Sequence, residues 1–166
     1  MDTELGLVRV PQIAAAQDVG RALNPQAVHG QIEGGTAQGL GLALMEEVQL
    51  QAGIIRNASF TDYLIPTILD VPPVESVLIE EPEPDVPFGA KGVGEPATIV
   101  ATAAVVAAIR AATGLELNRA PVTTDDIVGL RESVDGGPTP PPPEVPWQVS
   151  IPELHGFGMG QQELMK

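Results

Sequence analysis

The sequence predicts an α+β fold (mixed α/β), with about three helices set against a few strands of mixed sheet. Three observations carry this expectation. Asn24-Pro25 opens a long segment as a helix should open, with Asn as cap and Pro in the first turn. Pro96 starts a second helix signal, an alanine- and valine-rich stretch that stops at Gly114, a residue suited to a left-handed helix end. Between them, Ser76-Val77-Leu78-Ile79-Glu80-Glu81 alternates apolar and polar residues with the period of a strand.

Taken in order, Asp2 to Gly6 has the composition of a hairpin turn. Leu7 to Gln17 reads as a strand, with Pro11 placing it at an edge or a bulge. A chain that begins on the second arm of a hairpin suggests the back part of a larger polypeptide. Asp18 to Leu23 is a loop, and the first helix is expected from Pro25 to about Gln49. It carries Gly30, Gly34, Gly35, Gly39 and Gly41. Each interior glycine costs a helix up to about 1 kcal/mol, so the set needs a reason: close packing of another backbone, or close approach of a bulky ligand. Gln31 and Gln38 lie two turns apart on about the same side. Gly53 to Asn57 is a turn, Phe60 to Pro66 is short and mixed, and Pro82 to Pro87 is an extended linker. The helix from Pro96 to Ala112 is apolar nearly all round, which predicts burial. Asn118 to Val122 is extended, and Thr123 caps a small helix from Thr124 to Leu130. Residues 1–131 form one unit. Residues 132–166, rich in proline and glycine, form a tail expected to be disordered or to dock on a partner. His155 in that tail has no second histidine near it in sequence, which argues against a metal role.

Composition narrows the function classes. Lys+Arg 8 against Asp+Glu 22 leaves a net charge of −14, which argues against sequence-independent binding to nucleic acid or anionic membranes. With no cysteine, this chain builds no disulfide, thiolate zinc site or iron–sulfur cluster of its own. The acidic start at Met1 to Glu4 is unlike a secretory signal. The run Ile99 to Ile109 is shorter than the ~20 residues of a membrane span, so the expectation is a cytoplasmic protein. Aromatic residues are 3% of the chain. A core of mostly Ala, Val, Ile and Leu is thin for an independent unit and points to burial against further protein.

The chemistry concentrates at Pro87-Phe88-Gly89-Ala90-Lys91-Gly92-Val93-Gly94-Glu95-Pro96-Ala97. Gly89, Gly92 and Gly94 let the backbone bend and let a ligand come close. Glu95 falls at the N-cap, where free N–H groups favour anions. A carboxylate there is a base, a metal ligand or only a cap. Lys91 is followed by Gly92, so the Gly-Lys-Ser/Thr of a phosphate-binding P-loop is missing. Pro96 inside the window also spoils a dinucleotide-binding glycine pattern.

Five blocks occur together in order: Asp18-Val19-Gly20-Arg21-Ala22-Leu23-Asn24-Pro25, Gly30-Gln31-Ile32-Glu33-Gly34-Gly35, Gln38-Gly39-Leu40-Gly41, Phe60-Thr61-Asp62-Tyr63-Leu64-Ile65-Pro66 and Gly89-Ala90-Lys91-Gly92-Val93-Gly94-Glu95-Pro96. Over about residues 1–131 the chain resembles the C-terminal part of the molybdopterin-binding large subunit of the xanthine dehydrogenase/aldehyde oxidase family, the molybdenum hydroxylases. The resemblance implies an oxidoreductase that hydroxylates an electron-poor carbon of a purine, N-heterocycle or aldehyde with oxygen from water. It implies Glu95 as the general base at the molybdenum centre. Gln31 and the backbone of Gly92, Val93 and Gly94 would face the molybdopterin cofactor, which in some relatives is the cytosine dinucleotide form. Lys91 is a cofactor neighbour or a surface charge. The [2Fe-2S] clusters and FAD would sit on other domains or subunits. The partners implied are the rest of the molybdenum subunit, iron–sulfur and flavin subunits, and a small-molecule substrate. The family's first molybdopterin-binding domain has no counterpart here. The chain is then a fragment, a split subunit or a decayed reading frame. The competing expectation is a non-catalytic module whose helices only pack on a partner.

Overall fold

The computed structural model describes residues 1–129, so the proline- and glycine-rich segment, His155 and the boundary near residue 131 lie outside the described residues. The elements are β1 (Ile13–Asp18), α1 (Pro25–Leu44), β2 (Leu50–Gln51), β3 (Ile54–Ile55), β4 (Val74–Ile79), α2 (Pro96–Thr113) and α3 (Thr124–Val128). The expected mixture of three helices and a few strands is therefore present among the described residues.

β1 and β4 pair in parallel, with Ile13 opposite Val74 and Asp18 opposite Ile79. Parallel neighbours need a crossover, and α1 supplies its helical part. β2 and β3 make a small antiparallel hairpin. Its two-residue turn, Ala52-Gly53, has positive φ at both positions (50° and 78°), the backbone that tight hairpins require.

The helices follow their end signals. The Asn24 side chain accepts from the Ala27 N–H at 3.1 Å, with Pro25 directly behind it. Gly114 closes α2 at φ 73°, its N–H donating to the Arg110 carbonyl. Thr123 and Asp126 form a reciprocal capping box at α3, and Gly129 ends that helix at φ 72°.

α1 and α2 lie side by side in the same direction, and glycine makes the approach possible. A Cβ added at Gly35 would lie 2.9 Å from the Ala97 Cβ, and one at Gly39 would lie 2.5 Å from the Ala101 Cβ. Thr102 Oγ1 ties the pair by donating to the Gly39 carbonyl at 2.9 Å. Leu40 and Ala43 of α1 meet Val105 and Ile109 of α2, and Leu117, Val122 and Ile127 close the core from below. The Val122 N–H donates to the Ala43 carbonyl at 2.7 Å, satisfying an otherwise open end of α1.

Five expectations need correction. Ile54–Ile55, inside the expected Gly53 to Asn57 turn, is the strand β3, and the turn is Ala52-Gly53. The first strand begins at Ile13, not Leu7: Leu7 instead pairs with Asp2 across a tight turn. β4 begins at Val74, two residues before the expected start. α1 stops at Leu44, five residues early. There the Met45 and Glu46 N–H groups both donate to the Gly41 carbonyl. Buried Asn57 then holds the chain extended, donating to the Glu47 carbonyl (2.6 Å) and accepting from the Gln49 N–H (2.9 Å). Finally, α2 is not buried all round. Ile99 and Val100 are 70% and 59% exposed, because only the Ala97–Ala101–Val105–Ile109 face meets α1 and the core. By length and composition alone, α2 is the one described helix that could cross a membrane, at 18 residues with mean hydropathy 1.5.

Candidate functional site at the carboxyl edge of the parallel strands

In a parallel sheet the loops that leave the carboxyl ends of the strands frame a common crevice. Here β1 and β4 end together at Asp18 and Ile79. The chain beyond β1 passes Val19, Gly20 and Arg21. The chain beyond β4 descends through Glu83, makes a short 3-10 turn at Pro87–Gly89, and returns beside it. The two loops are laced backbone to backbone. The Arg21 N–H donates to the Gly89 carbonyl at 2.9 Å, and the Lys91 N–H donates to the Val19 carbonyl at 3.0 Å. Gly20, at φ 62°, has no room for a Cβ against the Gly89 carbonyl.

Lys91 is answered by the same loop. Its Nζ donates to Asp18 Oδ2 at 2.6 Å, and Asp18 Oδ1 accepts from the Gly20 N–H at 2.9 Å. The lysine bond, and after it the glycine N–H, hold the Asp18 carboxyl below the ordinary carboxylate range. The Asp18 bond raises the Lys91 ammonium above the ordinary lysine range.

Past Lys91 the chain runs free for one short span and enters α2. Among the described residues, the backbone N–H groups of Gly92, Val93, Gly94 and Glu95 donate no hydrogen bond. Gly92 is open, since a Cβ there would meet nothing within 4 Å. Gly94 faces α1, where a Cβ would lie 4.0 Å from Gln31 Oε1. Glu95 is exposed and holds αR backbone angles (φ −113°, ψ −25°). Its side chain makes no capping bond, so the cap alternative is not used. The residue is thus an exposed carboxylate at the amino end of α2.

Gln31, Gly92, Val93, Gly94 and Glu95 are thus brought to one place. Gln38 is drawn elsewhere: its Oε1 accepts from Thr98 Oγ1 at 3.3 Å and bridges α1 to the first turn of α2. The α1 glycines divide by face. Gly35 and Gly39 are filled by α2, and Gly41 by Pro66 and Glu46, while Gly30 and Gly34 meet nothing within 4 Å. One feature was not foreseen: Phe88 is 74% exposed at φ 61°, a conformation costly for a bulky side chain. The only sequence signal for it is its place before Gly89.

Residues 1–72 match the family model described as molybdopterin cofactor-binding domain. The chain is 39% identical over 125 residues to the xanthine dehydrogenase molybdenum-binding subunit of Escherichia coli O157:H7, covering 74% of this chain and 17% of that subunit. The chain belongs to the xanthine dehydrogenase/aldehyde oxidase family of molybdopterin-binding subunits. Among solved structures, quinoline 2-oxidoreductase from Pseudomonas putida 86 superposes with a TM-score of 0.69 at 42% identity, over 75% of this chain and 17% of that one. Aldehyde oxidoreductase from Desulfovibrio gigas gives a TM-score of 0.71 at 35% identity, over 77% and 14%. The chain therefore spans about a sixth of the length of these relatives. The family match includes Asp18, Gly20, Gln31 and the α1 glycines; the Gly92–Glu95 loop lies downstream of it.

The loop suits such a cofactor on its own geometry. Successive unpaired N–H groups at a helix amino terminus favour anionic oxygens, and the open side of Gly92 leaves room for a bulky group against the backbone.

Proposed function

We propose that this chain is the part of a molybdenum hydroxylase that carries the general base, Glu95. The observation behind this is the convergence of an uncommitted carboxylate, four unpaired backbone N–H groups and Gln31 at one helix entrance. When bound, molybdopterin with its metal supplies the redox centre that accepts two electrons from the substrate. The N–H groups of Gly92, Val93 and Gly94 and the side-chain amide of Gln31 would hold and orient the cofactor. Glu95 Oε would accept a proton from the water that supplies the oxygen.

Relatives are named for xanthine, quinoline and aldehyde oxidation, so the substrate class here is a purine, an N-heterocycle or an aldehyde. Others are named as subunits of larger assemblies, among them the gamma subunit of a 6-hydroxypseudooxynicotine dehydrogenase complex. This fits a chain that works with the rest of the molybdenum subunit and with partners carrying [2Fe-2S] and FAD, in the cytoplasm. The exposed Ile99 and Val100 on α2 suit burial by that missing protein better than a membrane span, because the opposite face is already packed on α1. The cofactor, with or without its cytosine dinucleotide extension, would be shared between this chain and its partners.

Affinity purification of the chain from its native host, with metal analysis of the eluate, tests the reading. Stoichiometric molybdenum and iron–sulfur partners are expected. A partner free of molybdenum would overturn it in favour of a non-catalytic packing module, the reading that the exposed face of α2 would otherwise support.

A further inference from the structure

We propose that Asp18 and Lys91 are positioning residues, a clip that sets the Gly92–Glu95 loop and aims Glu95 without touching the cofactor. The inference rests on the reading of Glu95 as base. The loop has two feet. The downstream foot is rigid: Ala97 is 3% exposed and packed on Gly35. The upstream foot is Lys91, held by its N–H on the Val19 carbonyl and by its Nζ on Asp18. Asp18 is itself fixed at the end of β1, its other oxygen bound to the Gly20 N–H. Between the feet no backbone N–H is tied to the described protein. The path of four residues is therefore set by where its ends are pinned.

Lys91 is turned away from a cofactor role by its surroundings. Asp18 binds its ammonium, and the negative charges of Glu83 and Glu81 act on it as well. The parts of the pair are far apart in sequence but meet at the one point where both loops cross. A side chain that only decorated the surface would not need Gly20 pressed against Gly89 beneath it.

The test uses the chain assembled with the rest of its molybdenum subunit and its partners. Lys91→Met keeps the stem and removes the charge, Asp18→Asn weakens the acceptor, and Lys91→Arg conserves the bond. A misplacement of about 1 Å at a reacting group costs on the order of 100-fold in rate. Lys91→Met and Asp18→Asn are therefore expected to lower kcat by about 10- to 100-fold, with KM and molybdenum content unchanged, and Lys91→Arg to restore most of the rate. In the full chain without cofactor, amide exchange should quicken at Gly20, Arg21 and Lys91 in Lys91→Met while amides around Val105 keep their protection. Wild-type kcat in Lys91→Met, or molybdenum lost in step with activity, would overturn the proposal. Unchanged exchange at those three amides would also overturn it. Glu95→Gln run in parallel separates the failures: if Glu95→Gln is inactive and Lys91→Met is normal, only the clip falls. If Glu95→Gln turns over normally, the reading of Glu95 itself is wrong.

Discussion

Adding one methyl group to α1 should stabilise the chain at Gly30 and destabilise it at Gly39. Alanine is favoured over glycine in a helix interior by up to about 1 kcal/mol. At Gly30 nothing lies within 4 Å of the added carbon, so Gly30→Ala should gain about 0.5–1 kcal/mol. At Gly39 the same carbon would stand 2.5 Å from the Ala101 Cβ, 3.1 Å from the Thr98 carbonyl and 3.2 Å from the Thr102 N. Carbon atoms pack best at about 3.5–4.0 Å, and two of these three neighbours are backbone atoms that move only if α2 moves. Overpacking of this kind costs about 1–3 kcal/mol, and the short distance favours the upper half. After the propensity gain is subtracted, Gly39→Ala should lose about 1–2 kcal/mol. Urea titration of the full chain, followed by far-ultraviolet circular dichroism, reads both signs as shifts of the midpoint at constant slope. Equal stabilisation by the two substitutions would refute the reasoning, because it would mean that α1 and α2 do not meet through Gly39.

Three further outcomes are expected. Asn57→Ala should destabilise by about 1–3 kcal/mol, because the Glu47 carbonyl and the Gln49 N–H lose their buried partner; the same titration measures it. Ile99→Asp should change the stability of the chain alone by less than about 0.5 kcal/mol, since Ile99 is 70% exposed, yet should reduce co-purification with the rest of the subunit. The Asp18–Lys91 clip should have a pH window. Asp18 titrates below its ordinary range and Lys91 above its own. The Asp18 contribution is present above the ordinary carboxylate range and lost as pH falls through its lowered value. The Lys91 contribution is present below the ordinary lysine range and lost as pH rises through its raised value. Amide protection at Lys91, corrected for intrinsic rates, should be level through neutral pH and fall at both extremes. Asp18→Asn should abolish the acid-side fall.

Much of the fold was legible because its signals are local. Asn24-Pro25, Pro96, Gly114 and the Thr123 box each fix a helix end through the backbone next to them, and each is used as expected. What depended on distant partners was not. The extended chain that follows the early end of α1 is held by Asn57, which no periodicity in α1 announces. The β2–β3 hairpin turns on Ala52 at φ 50°, a conformation that glycine or asparagine adopts more readily than alanine. The α1 glycines left two explanations open, and the structure divides them: α2 fills the face of Gly35 and Gly39, while Gly30 and Gly34 stay clear. Gln31 and Glu95 stand out in the sequence by their motifs, and the approach of Gly94 to Gln31 follows from the parallel packing of α1 and α2. The partner of Lys91 could not be chosen. Asp18 lies far upstream, and only the crossing of two loops at the strand ends brings it within 2.6 Å.

The carboxylate at the entrance to α2 offers the most direct test. Turnover of the Glu95→Gln complex, measured beside its molybdenum content, should show a metal-replete enzyme with activity abolished. Wild-type turnover by that complex would contradict the account.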